Sequence, residues 1–461
     1  MIGAMYRPRD VSYPNCNWWF DTIQAGQDVK ERLYRTPGLA LFADTGVNSE
    51  TRGIKVPAND PNYMYAVVGN RAFRIDALGN IFTATGNLSI VSGHVQMESN
   101  GVQLMIIDDQ GGYIFDFATL VLTQITDIDF SITKGTLTYQ DGYFIYTDGE
   151  IFALSSLYDG TQWSSLDMAQ AEGWPDPILA GLSDHRELWL FGTETTEIWM
   201  DTGASTFPFE RVAGGFIEEG LGARFAYAKL DNTVCWLSNH RTILRASGYT
   251  PAKISPDWLD WEISRMSTVD DAFAFSYVLA GSYMLDITFP SADKTFFYNA
   301  KTGLWHRKSS GVDGGRHRAN CYAYFQKKHY VGDAQTGKIY EMSMNALDDA
   351  GDPIRRVWTF PNISSQNDYL IYHSEVAIEF KPGIGLEDGS IPYAELCWSE
   401  GLESTWKAPR KRNVGAVGDY DRRTKWQQLG ASRNRTYRLT VSDPVDWEVR
   451  DYRPNYSEGT S

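Results

Sequence analysis

The sequence predicts an all-β fold: a six- or seven-bladed β-propeller with a β-rich platform domain built from the C-terminal segment and the N-terminus. Three observations predict it. Aromatic residues make up 14% of the 461 residues and glycines number 41, a composition of strands and turns. Short apolar runs separated by Gly, Asp and Asn recur, whereas helical periodicity is scarce. A strand, a polar turn and a second strand ending in an Asp/Asn…Thr-Gly…aromatic-or-Ile step return about seven times, at intervals of roughly 35 to 50 residues.

Residues 1–45 lie outside the repeat. Within them "NCNWWFDTI" (15–23) is apolar enough for a strand and is expected to complete the C-terminal sheet. Short helices are expected near Ile23 to Arg32 and over "SLDMAQAEG" (165–173). The propeller is expected over 46–350, with copies such as "YMYAVVGNRAFRID" (63–76), "GTLTYQDGYFIYTDGEIFAL" (135–154), "ELWLFGTETTEIWMD" (187–201) and "FFYNAKTGLWHRK" (296–308). A small antiparallel sheet cannot bury its apolar face alone, and a radial stack of such sheets leaves only short edges exposed. A large β-sandwich or a pair of barrels would account for the strands but not for the recurring turn. The scheme stops at "MNALDDAGDPIRR" (344–356), and 351–461 reads as a platform β domain with basic loops and a mobile tail after Pro454.

The formal net charge of −16 argues against nonspecific attraction of the whole chain to nucleic acid or to an anionic membrane. The charge is uneven: 15 Lys+Arg face 16 Asp+Glu from Asp352 onward, against 27 and 42 before it. Cys16, Cys235, Cys321 and Cys397 are far apart and are expected to be reduced and separate. No stretch approaches the length of a membrane-spanning helix and no signal peptide is visible, so a soluble protein without membrane insertion is expected.

No catalytic, cofactor or metal site is expected. Carboxylate pairs such as Asp108/Asp109, Glu218/Glu219, Asp270/Asp271 and Asp348/Asp349 sit mostly in turns, where solvent explains them. The seven histidines form no HExxH, and neither a phosphate-binding glycine loop nor a GxSxG elbow is present. One region departs from a bland surface. Between Thr405 and Arg438 stand Lys407, Arg410, Lys411, Arg412, Arg422, Arg423, Lys425, Arg433, Arg435 and Arg438, against Asp419 and Asp421 alone. Such a cluster could hold phosphate backbone, face the acidic surface of a neighbouring subunit or partner, or be a merely solvated surface. The second is preferred, because the rest of the chain carries the complementary charge.

"YRTPGLALFAD" (34–44) followed by "TRG" (51–53), "LWLFGTETTEIWMDTG" (188–203), "EEGLGARFA" (218–226), "LCWSEGLESTWKAPRKR" (396–412) and "YDRRTKWQQLGASRNRTYRLTVSDPV" (420–445) together resemble the packaged-DNA stabilisation, or tail hub and nozzle, proteins of short-tailed bacteriophages. The resemblance implies a structural virion protein, not an enzyme. Six copies would form a ring below the portal and its adaptor, continue the channel for double-stranded DNA and help retain the packaged genome. It implies further contacts with a tail fibre, spike or plug protein, and a place in the virion tail after synthesis in the host bacterial cytoplasm. The chain is too short for the large lower domains of some relatives, so either it forms the tail tip alone or another protein plugs it. Two other readings stay open: a monomeric propeller interaction module, and a carbohydrate-active propeller hydrolase, which would need two carboxylates about 5 to 9.5 Å apart.

Overall fold

The computed structural model describes residues 15–25, 28–171, 176–365, 367–386, 388–400, 405–416, 418–419 and 423–459. The chain divides into two compact units, one of residues 40–293 with 318–343 and one of residues 1–39, 294–317 and 344–461.

The first unit contains five complete four-stranded antiparallel sheets, each built from consecutive strands. The first runs through Thr51–Lys55, Tyr63–Val68, Arg71–Asp76 and Ile81–Thr83. The third runs through Thr136–Gln140, Tyr143–Asp148, Ile151–Ser156 and Asp159–Gln170, and the fourth through Ile178–Asp184, Glu187–Gly192, Thr196–Asp201 and Phe209–Ile217. The strands Ala319–Phe325, Lys328–Asp333 and Lys338–Ser343 take Gly38–Asp44 as their outer neighbour.

Two local devices generate the repeat. Two-residue turns with both residues in the left-handed region join the first and second strands at Asp141–Gly142, His185–Arg186, Asp231–Asn232, Ala280–Gly281 and Gln326–Lys327. That geometry matches strand twist and closes a tight hairpin. After the third strand an Asp carboxylate accepts the backbone N–H two residues on, as Asp76 does from Leu78, Asp116 from Ala118 and Asp201 from Gly203. Inner strands such as "YMYAVV" are buried almost throughout because consecutive sheets stack: Tyr65 and Val67 share a core with Leu104 and Phe115, and Ile145 and Phe152 share one with Leu188 and Phe209. Gly332 shows how tight the packing is, since a Cβ there would lie 2.4 Å from Thr51 Cγ2 and 2.7 Å from Cys321 Sγ. Gly332→Ala is expected to cost about 1–3 kcal/mol through overpacking, read as a lower denaturation midpoint.

The propeller expectation is corrected. The fold is all-β, with several small four-stranded antiparallel sheets, but among the described residues each is an open array of strands and none is closed into a barrel or curled. The copy at 296–308, Lys294–Asn299 with Leu304–Lys308, clusters with the terminal segments rather than with the other repeats. The repeat encodes hairpins and their turns, which are local. How sheets are arranged about an axis is not local, and no residue pattern carries it. Both expected helices are also corrected: Trp18–Ala25 and Asp28–Arg35 are paired strands, and 165–170 belongs to the strand Asp159–Gln170, with 172–173 outside the described residues. Among the described residues an α-helix runs instead over Asp257–Ser264, started by Pro256 with Asp257 and Asp260 in its first turn, and it buries Leu259 and Ile263.

The second unit is a sandwich. One sheet has the order Trp18–Ala25, Asp28–Arg35, Glu448–Glu458, Ile371–Phe380, Thr424–Gln427; the other runs Arg356–Thr359, Asn434–Val441, Tyr393–Glu400, Arg410–Asn413. Their inner faces meet in one core holding Trp18, Leu33, Trp358, Ile378, Trp398, Trp426, Leu439 and Trp447. Asn434–Val441 alternates inward Arg435, Tyr437, Leu439 and Val441 with outward residues. Where a mobile tail is expected after Pro454, the strand continues and pairs as far as Glu458 with Ile371.

Candidate interaction surface

The basic cluster lies on the sandwich, largely on two edge strands, Arg410–Asn413 and Thr424–Gln427, and on the loops beside them. Charged edge strands discourage edge-to-edge pairing, so part of this charge guards the sheet edges. The two edges are tied together: Trp426 Nε1 donates to the Arg410 carbonyl at 2.7 Å, and Arg410 Nη1 donates to the carbonyls of Gln427 and Gln428 at 3.2 Å each.

Half of the cations turn out to be compensated within the chain. Lys411 pairs with Glu395 at 3.0 Å, Arg423 with Glu379 at 3.3 Å, Lys425 with Glu375 at 3.3 Å, Arg433 with Asp368 at 3.1 Å and Arg435 with Glu400 at 2.7 Å. The hydrogen bond to Glu395 raises the Lys411 pKa. Glu375 is held below the usual carboxylate range first by its hydrogen bond from Gln427, then by Lys425. These carboxylates are remote in sequence and become neighbours through cross-strand register, such as Glu395 opposite Lys411. A local charge count cannot see them, although strand alternation around 375–379 and 395 would have suggested outward carboxylates.

Arg435 is not a surface residue at all. Its side chain is 1% exposed, donates to the Leu429 carbonyl at 2.6 Å, and lies 5.3 Å from the Trp398 ring centre. Arg410 sits 4.8 Å from the same ring. Arg438 stacks on Trp406 at 3.6 Å and donates to Thr359 Oγ1. Arg422 lies outside the described residues. Two exposed cations, Lys407 and Arg412, have no carboxylate partner among the described residues; Arg412 donates only to the Lys411 carbonyl. Lys407, whose backbone N–H donates to the Trp398 carbonyl at 2.9 Å, and Arg412, opposite Ala394, thus stand at separate points along the strand Tyr393–Glu400, and Trp406 carries the stacked Arg438. Replacing Lys411 by Ala is expected to leave the midpoint of chemical denaturation almost unchanged, since exposed pairs are worth little.

Elsewhere, no group of three or more metal-ligating side chains occurs among the described residues, and none of their helices is long and apolar enough to cross a membrane. The four cysteines are free thiols, and burial pushes the thiols of Cys16, Cys235, Cys321 and Cys397 above the ordinary value.

Residues 17–346 match the model of the family described as "Bacteriophage P22 Gp10, beta-propeller". No curated protein matches the chain. Among solved structures, virginiamycin B lyase from Staphylococcus aureus is 10% identical with a TM-score of 0.48, covering 66% of this chain and 98% of its own. The extracellular domain of the putative one component system BT4673 from B. thetaiotaomicron is 11% identical with a TM-score of 0.46, covering 88% and 57%. The computationally designed Ika8 protein is 10% identical with a TM-score of 0.43, covering 66% and 99%. At these scores the likeness decides nothing about the chain. The basic cluster lies beyond the family match.

Proposed function

Because the chain belongs to this bacteriophage stabilisation family, and is by that membership a structural protein rather than an enzyme, we propose that it is a tail component of the virion, assembled as a ring of six copies below the portal and its adaptor. The family match over residues 17–346 is the observation that carries this reading. In this role the ring continues the channel through which packaged double-stranded DNA passes and helps retain the genome. A tail fibre, spike or plug protein attaches to it, and synthesis takes place in the host bacterial cytoplasm.

The charge distribution supports the reading. Residues 40–293 and 318–343 carry 17 Lys+Arg against 35 Asp+Glu, while the remainder carries 25 against 23. Each cation that neutralises a phosphate adds affinity through counterion release, and movement of the duplex must break it. An acidic channel wall therefore lets DNA slide. The segment 351–461, with its outward cations, is the part suited to hold neighbouring copies or the adaptor. Electron microscopy of the full chain bound to portal and adaptor tests this: a six-fold ring on the tail axis is expected, and a single copy off the axis would refute it.

A further inference from the structure

We propose that His185 is a proton-operated clasp between two neighbouring sheets: its imidazolium ties Asp184 of its own turn to Asn232 of the next, and the tie to Asn232 is released when the ring loses its proton. The clasp is independent of the ring reading above.

His185 and Arg186 form the left-handed turn between Ile178–Asp184 and Glu187–Gly192, and Asp231 and Asn232 form the equivalent turn between Tyr227–Leu230 and Thr233–Leu237 of the following sheet. The His185 ring bridges the two turns. Its Nδ1 lies 2.7 Å from Asp184 Oδ2 and its Nε2 lies 2.9 Å from Asn232 Oδ1. Both facing atoms are acceptors. A neutral imidazole carries one N–H and can satisfy one of them, whereas the imidazolium donates to both. The Nδ1 proton stays with the carboxylate, so the bond to Asn232 is the one that protonation controls.

The charged groups around the ring are carboxylates, a lysine and arginines, classes that ordinarily titrate far from neutral pH. Asp184 also meets Lys229 at 3.6 Å, Arg186 pairs with Asp141 at 3.3 Å, and Asp231 pairs with Arg245 at 2.8 Å. Glu187 accepts the Tyr249 hydroxyl at 2.5 Å. Histidine is the side chain that changes charge near neutrality, so of these turn-to-turn links the one through His185 responds there. Its pKa is raised first by the hydrogen bond to Asp184 and then by the bond to Asn232, while Lys229 opposes them. A raised value means that the tie is complete below the ordinary value of 6.5 and is lost as the pH climbs through the folded one. The side chain is 56% exposed, so solvent protons reach it directly.

The full chain with 13C-labelled histidine tests the clasp. His185→Asn assigns the resonance and keeps the turn, because Asn tolerates a left-handed backbone. The wild-type ring is expected to titrate above 6.5, and Asn232→Gly, which also suits its turn, is expected to lower that value. Hydrogen exchange at 184–187 and 231–233, corrected for the intrinsic rate, is read at about pH 6 and about pH 8.5. It is expected to run about two- to tenfold faster at the higher pH, the worth of one ordinary hydrogen bond, and to lose this dependence in both variants. The wild-type exchange reading needs neither variant. A ring that titrates at or below 6.5 overturns the proposal. So does wild-type exchange that ignores pH, the result if the Asn232 amide turns over and donates to Nε2.

Discussion

Arg435→Ala is expected to lower the stability of the sandwich by about 2–4 kcal/mol, several times the effect of Lys411→Ala on an ion pair with nearly the same separation. The two cations pair at 2.7 and 3.0 Å, but the Arg435 side chain is 1% exposed and that of Lys411 67%. Truncating Arg435 opens a cavity beneath Trp398 and Tyr437 and strips the Leu429 carbonyl of its donor. Glu400 is 41% exposed, so water can rehydrate it, and this keeps the expected loss below that of an orphaned buried charge. Arg435→Met should recover much of the loss, because it refills the volume without restoring the charge. Chemical denaturation of the full chain, following the transition that reports the tryptophan-rich sandwich, measures all three variants. Equal effects of the Arg435 and Lys411 substitutions would mean that burial does not set the scale here.

Arg435 also marks the limit of what the sequence discloses. In "RNRTYRLTV" the alternation of Arg435, Tyr437, Leu439 and Val441 is visible, yet a charge count treats Arg435 as one more surface cation. Its inward direction follows from strand parity, and its partner Glu400 stands directly opposite in the register. The hairpins were readable because their causes are local: turn residues at fixed offsets and apolar runs between them. The strand at Trp18–Ala25 misleads at its end, where the polar residues after Ile23 break the apolar pattern, and pairing with Asp28–Arg35 rather than helix propensity decides the outcome. Sheet-to-sheet arrangement has no such local cause. The family match fits a phage structural protein, while a groove floored by Trp199 and Phe207 needed coordinates, since its two sides come from different sheets.

Acidification from pH 7.5 to 5 is expected to destabilise the sandwich by about 2 kcal/mol for each of two buried histidines. His306, in contact with Phe20 at 5.9 Å and Phe297 at 5.1 Å, is pushed down to about 3 by burial. His373, which shares a hydrogen bond with Ser432 Oγ at 3.0 Å, is pushed down to about 4 by burial and then by the Arg435 cation. In the unfolded chain both titrate near 6.5. Between about pH 6.5 and pH 4 the unfolded state therefore binds protons that the folded state refuses. Their contribution to stability is complete above 6.5 and is lost as the pH falls, until the folded histidines protonate in turn. Carboxylates with depressed values, such as Glu375, contribute fully above their unfolded value of 4.5 and lose that contribution only below it, so the window from 6.5 to 4.5 belongs to the histidines. Thermal unfolding at pH 7.5, 6, 5 and 4.5 should show a midpoint that falls across this window. His306→Leu should remove about half of the slope, and His306→Leu with His373→Gln most of it. A double variant that kept the full slope would place the titrating groups elsewhere in the chain.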